Sequence, residues 1–158
     1  MKVVFCTKLA IPLLLVSALA ADQPKAAPPA PVPTQILTAK RVFVANTGSD
    51  EAEAPDRAYN NFYAAMKAWG HYELVGAPSD AELVLEVRVV PFWVERTILL
   101  ADFGVELTIL DARTHFILWT LVEPVKPTAK KATWNQNLGQ AVANLVGDVK
   151  SLTAGASK

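Results

Sequence analysis

The run Glu82-Leu-Val-Leu-Glu-Val-Arg-Val-Val90 restricts the fold more than any other part of the chain. Leu83, Leu85, Val87 and Val89 share one side of an extended strand, and Glu86 and Arg88 share the other. Side chains alternate across a strand, so this run requires a sheet with one dry face and one partly wet face. Val105, Leu107 and Ile109, alternating with Glu106 and Thr108, repeat the pattern. Phe116–Val122 is a further apolar run, and Arg41–Asn46 is a short first strand rich in β-branched residues. A small strand is expected at His71–Val75, followed by a turn at Gly76–Asp80 stiffened by Pro78.

A dry sheet face needs a cover, and two segments have the period to supply one. Tyr59, Phe62, Tyr63, Met66 and Trp69 recur at three- and four-residue steps, with Asp56 placed to cap the start and Gly70 to end the last turn. This aromatic stripe is read as a packing surface in preference to a ligand-stacking one. Trp134, Leu138, Ala141, Val142, Leu145, Val149 and Leu152 define the second helix, and Thr133 with Gln136 fits a capping box. The predicted order is strand, helix, four strands, helix. The expected fold is therefore α+β: a two-layer sandwich with a mostly antiparallel sheet of four or five strands and both helices on one face.

Chemistry is hard to place on this frame. Asp111 and His115 lie four residues apart between two apolar runs. Asp111-Ala112-Arg113-Thr114 has the composition of a type I turn, in which Asp and Thr bond nearby amides. His115 then begins the outgoing strand at a solvated tip, and His71 lies elsewhere in the chain. A general base needs a pocket and an orienting partner. No nucleophile elbow, zinc-binding helix or phosphate loop is present. The reading is a structural corner in a non-enzymatic domain; a hydrolase-like enzyme using His115 or His71, or a small-ligand carrier, is the alternative. The acidic loop from Thr47 to Pro55 lacks calcium-loop spacing. Lys126, Lys130 and Lys131 are read as plain surface. No metal or cofactor is expected.

The same hairpin suggests a contact surface. A four-residue turn pairs Ile109 with Phe116, Leu107 with Leu118 and Val105 with Thr120 on the core side. Ile117, Trp119 and Leu121 then share the wet face with Glu86, Arg88 and Glu106, forming a candidate partner patch. A one-residue bulge is the competing possibility, and it would send Trp119 inward. Residues 92–103, with Trp93 as a further contact candidate, have no clean period. They read as an extension of the hairpin or as an apolar tip that meets a partner or a lipid surface.

The chain begins with Lys2, Lys8, a short apolar core from Leu9 to Val16 and then Ala18-Leu19-Ala20. This is the pattern of a signal peptide over 1–20, cleaved after Ala20, with an apolar stretch too short to span a bilayer. Residues 21–34 hold five prolines and four alanines, an extended linker that cannot join a sheet. Residues 35–158 form the single expected domain, long enough for one buried core. Without the leader's two lysines the chain has 13 basic and 15 acidic residues, a formal charge of −2, which argues against nucleic acid. The one cysteine, Cys6, lies in the leader, so no disulfide, thiol nucleophile or thiolate metal site is expected beyond it.

The strand Val42-Phe-Val-Ala-Asn46, the segment Asp80-Ala-Glu-Leu-Val-Leu-Glu-Val87 and the hairpin Asp111-x-x-Thr114-x-x-x-x-Trp119 occur in an order that resembles a known domain. It is the small α/β domain of bacterial envelope proteins such as the amino-terminal domain of the Tol translocation protein. The curli-secretion lipoprotein, the lipoprotein activators of penicillin-binding proteins and related exported families of unknown function carry it too. The resemblance covers about 41–152. His115 stands where the usual hairpin has glycine, and no lipidated cysteine follows the leader. The resemblance implies a non-enzymatic adaptor or assembly factor with two helices packed on one sheet face. The expected partner is an envelope protein or cell-wall component, and no transmembrane span is expected after cleavage of the leader.

Overall fold

The computed structural model describes residues 30–48, 54–91 and 103–155. Every element below lies within the compact unit Pro31–Lys158. In chain order these are α1 (Thr34–Thr38), β1 (Arg41–Asn46), α2 (Ala54–Trp69), β2 (Glu73–Leu74), β3 (Leu83–Pro91), β4 (Phe103–Asp111), β5 (Ile117–Val125) and α3 (Lys131–Ala154).

The five strands form one sheet in the order β2-β1-β3-β4-β5. The long ladders, β3 with β4 and β4 with β5, are antiparallel, whereas β1 runs parallel to both β2 and β3. The architecture is the expected α+β one, with a mixed sheet. The parallel pair has a simple origin: α2 and the Gly76–Asp80 region carry the chain from β1 back to the same end of the sheet, a crossover that a tight hairpin cannot make.

Leu83, Leu85, Val87 and Val89 on β3 and Val105, Leu107 and Ile109 on β4 are all buried on the face that meets the helices. Phe62 and Met66 of α2 and Leu138 and Leu145 of α3 enclose them from above. The aromatic stripe of α2 is thus core, with Tyr59, Tyr63 and Trp69 half-buried at its margins. Gly70 ends α2 in the left-handed region at φ +67°, its amide bonded to the Met66 carbonyl.

Three local expectations are corrected. The helix α2 begins at Ala54, so Asp56 lies in its first turn and accepts Asn46 Nδ2 at 2.9 Å, tying α2 to the end of β1. The helix α3 begins at Lys131, ahead of Thr133, and no side chain caps it. The last loop contains good helix formers after Pro127, and these extend the helix by a turn. Finally, a short helix, α1, takes up the chain where the Pro-rich linker is expected to end. It exists because Ile36 is fully buried in the core and its carbonyl accepts the Tyr72 hydroxyl at 3.1 Å.

Candidate functional site

The corner between β4 and β5 is built around Asp111. Its Oδ1 accepts the amides of Arg113 at 3.0 Å and Thr114 at 2.7 Å, and the Thr114 hydroxyl at 2.9 Å. These bonds, the Thr114 amide foremost, hold the carboxyl below its ordinary value. Asp111 is therefore committed to the turn. His115 follows in the left-handed region at φ 57° with an exposed side chain. His71 is also exposed; its ring stacks on Trp69 at 4.7 Å between centroids and meets the edge of Tyr72. Among the described residues neither imidazole is hydrogen-bonded to a carboxylate, and no group of His, Cys, Asp and Glu is arranged to hold a metal ion.

A polar concavity of about 670 Å³ opens near this corner, lined among others by Thr38, Arg41, Ser79, Glu82, Asp111 and Arg113. Neither histidine lines it. Its two carboxylates are already engaged, since Glu82 Oε2 accepts the amides of Lys40 and Arg41. The concavity thus joins strand entries and offers no free acid–base pair.

The hairpin register differs from the one expected. Ile109 pairs with Trp119, Leu107 with Leu121 and Val105 with Glu123, while Leu110 pairs with Ile117. The shift between Ile109 and Leu110 is a β-bulge at Leu118, so two residues of β5 face one of β4. Leu118, Trp119 and Leu121 are half-buried against the helical layer. The open face keeps Ile117, which is 64% exposed. The four candidate contact residues are accordingly separated: Ile117 lies on the open face, Trp119 and Leu121 lie on the helix side, and Trp93 lies outside the described residues along with the rest of 92–102. The physical reason is volume. The bulge lets the large indole reach the core, which outweighs a shorter turn.

Following the register across the sheet brings other residues to Ile117. Phe43 pairs with Val84, Val84 with Leu110 and Leu110 with Ile117, making an apolar row over four strands on the open face. Val84 is buried, Phe43 and Leu110 are half-buried, and Phe116, 73% exposed, stands at the corner beside Ile117. Further along the same face Arg88 forms an ion pair with Glu106, its Nε donating at 2.8 Å, and the Thr108 hydroxyl joins them. A row of large apolar groups with a charged pair along the same face suits a macromolecular contact better than a reaction. Phe43 and Leu110 were not singled out from the sequence. Alternation within Val42–Asn46 and Phe103–Asp111 does place each opposite the buried positions of its strand, which was the available signal.

No protein-family model and no curated protein matches the chain. Solved structures do. The fold is similar to that of PelC from Paraburkholderia phytofirmans. The PelC dodecamer gives a TM-score of 0.52 at 15% identity, covering 70% of this chain and 86% of that one. A second crystal form of PelC gives 0.50 at 14% identity over 68% and 84%. A lipoprotein from Neisseria meningitidis gives 0.43 at 14% identity, covering 69% of this chain and 99% of that one. At these identities the likeness to PelC is one of fold.

Proposed function

We propose that this chain is an exported, non-enzymatic docking domain of the bacterial cell envelope. The observation that carries the reading is the row Phe43, Val84, Leu110 and Ile117, ending at Phe116, on the sheet face away from the helices. The leader pattern of residues 1–20 and the Pro/Ala segment 21–34 support export and a tethered domain. Among the described residues no helix is long and apolar enough to cross a membrane. The fold likeness to PelC, a protein crystallised as a dodecamer, supports a role in assembly over a role in catalysis. The partner is an envelope protein that lays an apolar segment along the row, fixed in orientation by the Arg88–Glu106 pair.

A photo-crosslinking residue at position 117, introduced in cells that export the protein, tests this. The expected result is one defined protein adduct that a Leu110→Asp substitution abolishes and that the same crosslinker at exposed Lys67 does not form. Equal labelling at 67 and 117 counts against the reading, as does an adduct made only with cell-wall glycan.

A further inference from the structure

β5 is the last strand of the sheet, and among the described residues its outer edge has no backbone partner. The direction of its free groups follows from the register. The Asp111 amide donates to the Phe116 carbonyl at 3.0 Å, so odd-numbered residues of β4 turn their backbone groups towards β5. Ile109, Leu107 and Val105 of β4 pair with Trp119, Leu121 and Glu123, which therefore direct their own groups inward. On the far side of the sheet the Thr47 amide reaches the Val87 carbonyl, in keeping with the same alternation. The amides and carbonyls of Thr120 and Val122 consequently point outward, as does the Pro124 carbonyl. Pro124 sits where a missing N–H removes no bond to β4, the usual place for proline in an edge strand.

Edge strands are guarded by charge, by proline or by bulges. Here Pro124 and the bulge at Leu118 bound a straight stretch, Trp119–Glu123, that carries no lysine. Its single charged residue, Glu123, is turned towards α3, where Asn144 donates to it at 3.4 Å. Thr120 and Val122, which carry the free groups, are exposed and uncharged.

We infer that β5 pairs antiparallel with β5 of a second copy of this chain, about a two-fold axis through Leu121. In that register Thr120 of each copy exchanges both backbone bonds with Val122 of the other, and Leu121 faces its own counterpart. Trp119 lies across from Glu123 on the helix side and Thr120 across from Val122 on the open side, so no like charges meet. An axis through Val122 would set Pro124, with no amide, against Thr120. An axis through Thr120 would set the bulged Leu118 against Val122. The Leu121 axis alone pairs both the amides and the carbonyls of Thr120 and Val122, since an axis through Val122 leaves the Thr120 carbonyl without a donor.

The helical layer permits the approach. Gln140 donates to Asn144 at 2.9 Å, and Gly147 and Ser151 continue that exposed, uncharged stripe of α3 at helical spacing. A Cβ placed on Gly147 meets nothing within 4 Å, so a second α3 can come close there. The pairing stands whatever binds the apolar row.

Cysteine pairing tests it, because the chain's one cysteine, Cys6, can be changed to serine without touching this edge. Thr120→Cys and Val122→Cys chains, exported through their own leader and mixed under mild oxidation, form a disulfide-linked dimer. Their α-carbons lie about 5.5 Å apart across a bonded pair, within disulfide range. Each variant alone crosslinks far more slowly. By sedimentation the wild-type protein has twice the chain mass, and T120K/V122K has the single mass while still melting in one cooperative transition. The pairing is overturned by a wild-type protein of single mass at all concentrations, or by a dimer that survives the two lysines. Equal crosslinking in unmixed variants, or capture of a different protein by both cysteines, also overturns it.

Discussion

The carboxylate of Glu82 accepts the amide of Lys40 at 2.5 Å and that of Arg41 at 3.2 Å. One side chain at the entry to β3 thereby holds the entry to β1, more than forty residues earlier in the chain. These amide bonds, with Lys40 the larger cause, keep the Glu82 carboxyl below its ordinary value. Asp111 does the same work at the adjoining end of β4, inside its own turn.

Both groups make stability depend on pH in one direction. A carboxyl with a depressed folded pKa contributes fully above its unfolded pKa, and the contribution is lost as pH falls through the folded value. Glu82→Gln and Asp111→Asn should each melt below the wild type at neutral pH. The gap should narrow as the pH drops below the ordinary carboxylate range. Thermal melts from neutral to strongly acid solution measure this, and a gap independent of pH would show that the charge is not what matters.

Glu123 is the reverse case. Burial first, and then the neighbouring Asp148 carboxyl, hold it above its ordinary value, only partly opposed by the bond from Asn144. Its ionised form costs stability above the folded pKa, and that cost fades as pH falls towards the unfolded value. Glu123→Gln should therefore melt higher than the wild type at neutral pH, with the advantage disappearing in acid. A lower melting point at neutral pH would mean that the charge is structurally required.

His115 holds a left-handed backbone at φ 57°. That conformation costs most L-residues about 1–2 kcal/mol, and glycine about nothing. His115→Gly should raise stability by about 0.5–1 kcal/mol after the extra freedom of the unfolded chain is counted. Gly70→Ala, at φ +67°, should lower it by about 1 kcal/mol. Urea titrations of both variants read the two signs, and a destabilised His115→Gly chain would assign the imidazole a contact of its own.

Trp119 and Ile117 are two residues apart and should behave oppositely. Trp119→Ser removes a large ring packed on the core and should cost about 2–4 kcal/mol. Ile117→Ser, on the exposed face, should stay within about 0.5 kcal/mol of the wild type. Equal, small effects on stability would place Trp119 outside the core.

Much of this architecture is a local property of the chain. Period two in Leu83–Pro91 and Phe103–Asp111, and a helical period in Ala54–Trp69 and Lys131–Ala154, require half-buried strands and one-sided helices wherever they occur. The turn at Asp111 was equally legible, because an aspartate that accepts the amides two and three residues on needs no distant neighbour. The chain's own pattern thus dictated the layers and this corner.

Which side chains share a face across strands was settled elsewhere. Strand register depends on how two segments fit together, and a single bulge moves every later residue to the other side. The bulge opposite Ile109 arises because the Trp119 ring gains more from the helical layer than from a tighter turn, and no local rule weighs those two. Likewise, α1 is held by a buried Ile36 and the Tyr72 hydroxyl, and the parallel β1–β3 pair by a crossover over the core. The apolar row from Phe43 to Ile117 exists only after four strands have been set side by side, since it draws one residue from each strand.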